Sequence, residues 1–413
     1  MSTELCFSGS RSWKRLHVGP LAGEIDAFAA LLASLGYAVR SARDKLRLTR
    51  DLSHWMSREG IDLDALDEGR MEAFLSTRKP GFRSRGEAAT LRLLLEHLRD
   101  SGHVSPKPAE PDCNDPIEWI ARRYERFLVN ERGLSATTVK GYLLIVRAFL
   151  ADRFGTRTVN LESLTVRDCN GFILRGSRNV CWRTSKTWAT ALRSFLRHLH
   201  QAGEIPADLA DGILPAMNWR RTELPKSLDP DEVEAVLDSC DRTTAVGRRD
   251  RAILLLLSRL GLRAGEVVAM TLDDLDWNNG LVNVPGKGPR HELLPLPHDV
   301  GKVLAAWLRN GRPCCATRRL FVRARAPHTP FSGASAIDCV VRRALARAEL
   351  DPPFKGAHLL RHSLATGMLR NGASLEDIGQ ILRHRHPETT QIYARCDLDS
   401  LRGLAPAWPG DAP

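Results

Sequence analysis

No long apolar run occurs in this 413-residue chain: the longest begins at Ala252 and stops at Ser258, far short of the roughly 20 residues a membrane-spanning helix needs. The opening stretch MSTELCFSGSRSWKRLHVGP has basic residues but no apolar segment behind them. A secretory leader is therefore not expected, and the chain is expected to work in the cytoplasm. Nine cysteines include no Cys-x-x-Cys pair and no Cys/His cluster at zinc spacing, and Cys314 and Cys315 are merely adjacent. They read as reduced thiols, with no metal site expected. A phosphate-binding loop pattern is also missing. Tyrosine is scarce, with four in the whole chain, and acid is outnumbered by base, for a net charge of +11. Such an excess points to a polyanion, either nucleic acid or an anionic membrane surface.

Two proline-bearing stretches, residues 101–116 and 213–230, divide the chain into blocks at 1–104, 115–213 and 224–413, with net charges of +2, +5 and +4. The excess is densest in residues 151–200, at +6. This segment is the candidate surface for tracking a nucleic-acid backbone, through Arg175, Arg178, Arg183 and Lys186. The first two blocks resemble each other. LDALDEGRMEAFL from Leu63 precedes TLRLLLEHLRDSGHV from Thr90, and LESLTVRDCNGFI from Leu161 precedes ALRSFLRHLHQAGEI from Ala191. Both second segments have helical apolar spacing and a His in the same column, as expected of a divergent duplication of one small helical domain.

Block three opens with an N-cap, a Pro and an acid at Asp229, Pro230 and Glu232. Helices are predicted to about Ser239, over Arg248 to Leu260, Ala264 to Met270, about Ser335 to Glu349, Gly356 to Arg370, and after Ser374. LVNVPGKGPRHELLPL reads as a β-hairpin with Lys287 at its tip. The predicted fold is mainly α with a small β-sheet, a C-terminal domain preceded by two small helical ones.

Four elements of block three can carry chemistry. In GLRAGE, Arg263 follows a helix-ending Gly and can offer two parallel hydrogen bonds to a phosphate, or simply pair with Glu266. In HLLRH, His358 and Arg361 lie three apart on one helix face, placing a titratable group beside a permanent cation. In the GKGPR turn, Lys287 can protonate a leaving oxygen or is simply a solvated turn residue, and Arg290 is a further candidate DNA contact. In ILRHRHPETTQIYAR, His384 stands nine residues before Tyr393. A phenol is a competent nucleophile toward phosphorus where cations stabilise the charge that develops, although most helical tyrosines only pack.

In this order the four elements resemble the tyrosine recombinase (phage integrase) family over block three, Leu224 to about Leu398. RGLSATTVKGYLLIVRAFL and the closing helix before Gly203 resemble the family's helical core-binding domain. The resemblance implies that Tyr393 attacks a scissile phosphate of double-stranded DNA and is joined to the 3′ end, releasing a 5′ hydroxyl. It implies that Arg263 and Arg361 hold the non-bridging oxygens and Lys287 protonates the leaving oxygen. His358 would assist proton transfer at the tyrosine, His384 would hydrogen-bond the phosphate, and Glu266 would orient Arg263. The phosphotyrosyl bond conserves energy, so no metal, nucleotide or other cofactor is implied. Family members act as tetramers, so a homotetramer on DNA is expected, alone or with sister recombinases, serving integration or transposition of a mobile element.

One departure stands out. Where the family has Gly before the motif's second His, this chain has Arg383, which could displace His384, and His386 is a rival for the role. Two other classes stay open: a type IB topoisomerase that relaxes DNA as a monomer, and a DNA-binding protein that has lost catalysis.

Overall fold

The computed structural model describes residues 16–78, 86–105, 115–155, 157–177, 180, 182–214, 227–285, 291–384 and 386–393. Arg178, Lys287, Arg290 and the side chain of Arg183 lie outside the described residues. The chain forms two compact units, one made of residues 1–106 with 224–413 and the other of residues 107–223.

In the first unit, helices α1 (Ile25–Ser34), α2 (Val39–Glu59), α3 (Glu68–Thr77) and α4 (Glu87–Asp100) surround a core that includes Phe28, Leu46, Leu52, Met56, Leu94 and Leu98. Local chemistry sets the boundaries. Gly60 ends α2 at a φ of 67°, and the Asp67 side chain caps α3 by accepting the Arg70 N–H at 2.8 Å. After α1, the turn at Leu35 and Gly36 meets the loop carrying His328, whose N–H donates to the Leu35 carbonyl at 3.0 Å. Gly36 has a φ of +79°, and a Cβ there would lie 2.0 Å from the His328 ring. Gly36→Ala is therefore expected to cost about 1–3 kcal/mol, through backbone strain and displacement of His328. A urea melt would show it as a lower midpoint.

The rest of this unit is built on α10 (Ala245–Arg259), which packs against α12 (His298–Asn310) and α14 (Ala357–Arg370). Its apolar run Ala252 to Leu257 is buried throughout, so this stretch of the helix, apolar on all sides, lies in the core rather than forming an amphipathic surface element. Around it lie α9 (Pro230–Asp238), α11 (Ala264–Ala269), α13 (Ala334–Arg347) and α15 (Leu375–Ile381). The expected capping boxes form at Asp229 with Glu232 and at Ser374 with Asp377. Strands β1 (Leu275–Asp276), β2 (Leu281–Pro285) and β3 (His291–Pro295) make an antiparallel sheet in that order, with Val282 opposite Leu294 and Pro285 opposite His291. The hairpin was legible in the sequence; β1 and α12 were not.

In the second unit, α5 (Pro116–Arg126) starts at the Asp115 cap and continues as a wider turn over Phe127–Glu131. It is followed by α6 (Ala136–Phe154), α7 (Val166–Ser177) and α8 (Trp182–Gln201). Their core includes Tyr124, Phe149, Phe172, Phe195 and Leu199.

Both four-helix stretches place a 3-10 turn between their second and third helices, at Leu63–Ala65 and Leu161–Ser163. Buried positions correspond as well. Leu66, Met71 and Phe74 match Leu164, Cys169 and Phe172, and Leu91, Leu94, Leu95, Leu98 and Val104 match Leu192, Phe195, Leu196, Leu199 and Ile205. The His of the shared column meets an aromatic ring in each case, His97 with Phe28 at 6.1 Å between centroids and His198 with Phe127 at 4.4 Å.

Candidate active site

The site begins where α10 ends. Gly261 takes a φ of +57°, and a Cβ there would lie 2.6 Å from a methyl carbon of Leu382. Only glycine allows the chain to turn this closely against the segment after α15. Two residues on, Arg263 is the N-cap of α11, and Glu266 in the first turn of that helix turns back to it. The Glu266 carboxylate accepts the Arg263 N–H at 2.8 Å and its Nη1 at 2.6 Å. The ion pair that would make Arg263 an ordinary surface residue is therefore present. It fixes the guanidinium, whose Nη2 donates to the Arg383 carbonyl at 3.0 Å while the side chain stays partly exposed.

Arg361 enters from α14 and is buried. Its two terminal nitrogens donate to the carbonyls of Gly261 and Leu382, tying the end of α10 to the end of α15. Burial, then the charges of Arg263 and Arg383, push this guanidinium down to about 10. It remains a cation at neutral pH, in a place where an added anion would relieve the repulsion.

Arg383 departs from the expected displacement of His384. It adopts a left-handed backbone, φ 55°, and its nearly buried side chain folds inward to donate from Nη2 to Glu266 Oε2 at 2.7 Å. Burial alone would raise the Glu266 carboxyl. The Arg263 N–H and the Arg383 and Arg263 charges outweigh it and hold the group below its ordinary value. Three guanidiniums thus gather about one ionised carboxylate, leaving a net positive cluster suited to an anion. Arg383 was missed as a member because the sequence does not display the φ that turns its side chain inward.

His384 keeps a defined position. Its Nδ1 lies 2.7 Å from the Thr390 hydroxyl, and its ring is nearly parallel to that of Tyr393 at 6.5 Å. Burial, followed by the charges of Arg361 and Arg263, lowers it to about 4. The ring is neutral at pH 7. In the tautomer where the Thr390 hydroxyl donates to Nδ1, the ring's proton is on Nε2 and is available to a phosphate. The rival His386 is exposed. The sign of the pH effect follows from the shift. The unfolded chain binds a proton at this ring near pH 6.5 and the folded chain only near 4, so stability is present above 6.5 and is lost as pH falls toward 4. His384→Asn is expected to flatten the fall in melting temperature between those limits, measured against wild type by calorimetry.

Tyr393 is 1% exposed and packs with Ala365, Ile378 and Leu382, although the stretch just before it, Glu388 to Gln391, is polar. Its hydroxyl lies 2.7 Å from Nδ1 of His362. His358 is exposed one turn earlier on α14, with its ring 6.1 Å from that of His362. His362 is the residue the motif reading passed over. It is adjacent to Arg361 and four residues after His358, on the same helix face. Elsewhere, Arg175 is exposed and ion-paired with Asp152 at 2.5 Å, and Lys186 is exposed on α8.

A mostly helical domain with a small antiparallel sheet, carrying Arg, His-x-x-Arg, His and Tyr in that order around one cationic cluster, defines a tyrosine-type strand transferase. Relatives make the class specific. Residues 226–398 match the phage integrase family, and residues 121–203 match the phage integrase N-terminal SAM-like domain. A Sinorhizobium fredii protein named for integrase/recombinase activity, y4rA, is 41% identical over 95% of this chain and 96% of its own length. The tyrosine recombinase XerD of Listeria innocua is 32% identical over 65% of this chain and 90% of its own. The XerH site-specific recombinase bound to a palindromic difH substrate has a similar fold, with a TM-score of 0.56 and 19% identity over 82% of this chain and 94% of that one. The chain belongs to the tyrosine recombinase (phage integrase) family and is a site-specific recombinase.

Proposed function

We propose that the chain cuts and rejoins double-stranded DNA through a 3′-phosphotyrosyl bond to Tyr393, in the service of a mobile element. The observation that carries this reading is the cluster in which Arg263, held by Glu266, and the buried Arg361 lie near enough to act on His384 electrostatically, while the His384 ring lies 6.5 Å from that of Tyr393. The scissile phosphate supplies the anion that the cluster lacks. Arg263 and Arg361 bind its non-bridging oxygens and stabilise the charge that grows there in the transition state. His384 donates its Nε2 proton, and Glu266 and Arg383 hold Arg263 in place. His358, exposed on the helix that carries Arg361 with its ring 6.1 Å from that of His362, assists proton transfer at the tyrosine, and Lys287 protonates the 5′ oxygen as it leaves. Each cleavage stores the broken bond's energy in the phosphotyrosine, so rejoining needs only the reverse attack by a 5′ hydroxyl.

Residues 115–213 follow the DNA backbone through their basic segment, with Arg175, Arg178, Arg183 and Lys186 making salt-sensitive contacts and Arg290 adding one from the catalytic domain. Residues 1–104 are a divergent copy of that domain, supported by the shared helix order and matched buried positions. Four chains act together on two DNA sites, either as a homotetramer or with sister recombinases. A mobile-element role is supported by similarity to proteins named as integrases and by likeness in fold to the Tn1549 transposon integrase, at a TM-score of 0.51. The test is incubation with nicked suicide duplexes made from the DNA flanking the gene, followed by a denaturing gel. A covalent adduct that releases phosphotyrosine on hydrolysis is expected. Relaxation of supercoiled plasmid lacking those flanks would favour a topoisomerase instead.

A further inference from the structure

We propose that His362 is the base that takes the proton from Tyr393 as the phenol attacks phosphorus, and returns it when the strand is rejoined. This rests on the strand-transfer reading above and assigns a residue that the motif leaves out.

The geometry is direct. A general base must stand within hydrogen-bond reach of the proton it removes, and His362 Nδ1 is 2.7 Å from the Tyr393 hydroxyl oxygen. The rings are 5.5 Å apart at 59°, so the imidazole edge rather than its face meets the hydroxyl. Tyr393 is 1% exposed, and bulk water does not collect this proton. A base is required, because a free phenol titrates near pH 10 and only about one molecule in a thousand is ionised at pH 7.

The helix explains why this residue is available. Positions 358, 361 and 362 are spaced three and four apart, so His358, Arg361 and His362 share one face of α14. Arg361 reaches the cluster that would hold the phosphate, and its neighbour reaches the nucleophile. One helical turn thus addresses both ends of the bond that forms. The charged and titratable groups next to the pair are His358 and Arg361 on α14 and His384 after α15, and beyond them Arg263, Glu266 and Arg383 act on Arg361.

The step balances without a further reactant. The Tyr393 O–H bond breaks, its proton moves to His362 Nδ1, and the phenolate oxygen forms the bond to phosphorus. The P–O5′ bond breaks with its electron pair, and the 5′ oxygen takes a proton from Lys287. His362 must carry its own proton on Nε2 beforehand, which leaves Nδ1 free to accept. In rejoining, the imidazolium gives the proton back to the departing tyrosine.

Two measurements test the assignment. The first needs no DNA. With tyrosine labelled at Cζ, the four tyrosines give a sparse carbon spectrum in which Tyr393 is identified by its loss in Tyr393→Phe. His362→Ala should move that resonance and its titration, while the other three stay in place. The second compares adduct formation on nicked suicide duplexes from the gene's flanks, made with either an ordinary phosphate or a bridging 5′-phosphorothiolate. The sulfur leaves without a proton, so this duplex bypasses Lys287 but still requires tyrosine activation.

His362→Ala should slow adduct formation about 100-fold on both duplexes, with a rate that climbs with pH. Lys287→Ala should be rescued by sulfur alone. His362→Asn offers an amide oxygen near the place of Nδ1 and should restore the tyrosine resonance but not the rate at pH 7. DNA affinity should be unchanged in both His362 variants. Adduct formation by folded His362→Ala within twofold of wild type, with an unaltered pH profile, would overturn the proposal. Wild type that forms no adduct sinks the strand-transfer reading instead, and the resonance then decides the His362 pairing alone.

Discussion

Tyr393→Phe is expected to abolish covalent attachment to DNA, a loss of about 10⁴-fold or more, while leaving the fold and DNA affinity almost unchanged. The two halves of this result have separate causes. The ring sits among Ala365, Ile378 and Leu382, and phenylalanine keeps that packing. What disappears is one hydroxyl and its hydrogen bond to His362. The net stability cost of such a bond is about 1 kcal/mol, too little to unfold the domain. Affinity is retained because the cations that meet DNA are untouched. Chemistry fails because the other described groups of the cluster are guanidiniums and imidazoles that hold charge or move protons, and the Glu266 carboxylate is engaged by Arg263 and Arg383. An adduct that persists in the variant, seen on a denaturing gel, would sink the assignment and require a nucleophile elsewhere. A melting curve on the same preparation separates loss of chemistry from loss of fold.

How much of this site could be read from the sequence depends on the kind of interaction each residue makes. Arg263, His358, Arg361, His384 and Tyr393 stand out in the sequence because each belongs to a short segment with fixed order and spacing. Capping was legible too, since Asp229 with Glu232 and Ser374 with Asp377 act within one turn. Arg383 read as an obstruction because the sequence displays the bulk of its side chain but not the left-handed backbone that folds it onto Glu266, 117 residues away. The burial of Tyr393 does not show in the sequence, because the stretch just before it, Glu388 to Gln391, is polar. Its apolar surroundings come from α14 and α15. His362 escapes a reading by spacing because the His-x-x-Arg motif ends at Arg361, although helical geometry places it beside that residue. In the fold, the apolar run of α10 announced a buried helix. Strand β1, only two residues long, is too short for any alternation to show, and α12 begins in the polar His298 and Asp299 directly after a proline-bearing strand end.

Arg361→Ala should be the most damaging change to fold and chemistry together. Its guanidinium donates to the carbonyls of Gly261 and Leu382, and at 3% exposure no water replaces it. Removing it leaves two buried acceptors without that donor and opens a void, at a cost of about 2–4 kcal/mol. It also removes the cation best placed to meet charge on phosphorus. Losing one such preorganised donor costs about 10²–10³ in rate, and a guanidinium offers more than one, so cleavage should fall by about 10³-fold or more. Arg361→Lys separates the two effects. A lysine keeps the charge, yet a single ammonium cannot span carbonyls that the planar fork bridges. Part of the melting temperature should return while cleavage stays low. Repulsion from Arg263 and Arg383 would fall on the same ammonium, which, unlike a guanidinium, can lose its proton when buried. If Arg361→Lys instead recovered cleavage to within tenfold of wild type, charge alone would suffice and the bridging geometry would be irrelevant to catalysis. If both variants melted as wild type does, the two carbonyl contacts would have no structural weight.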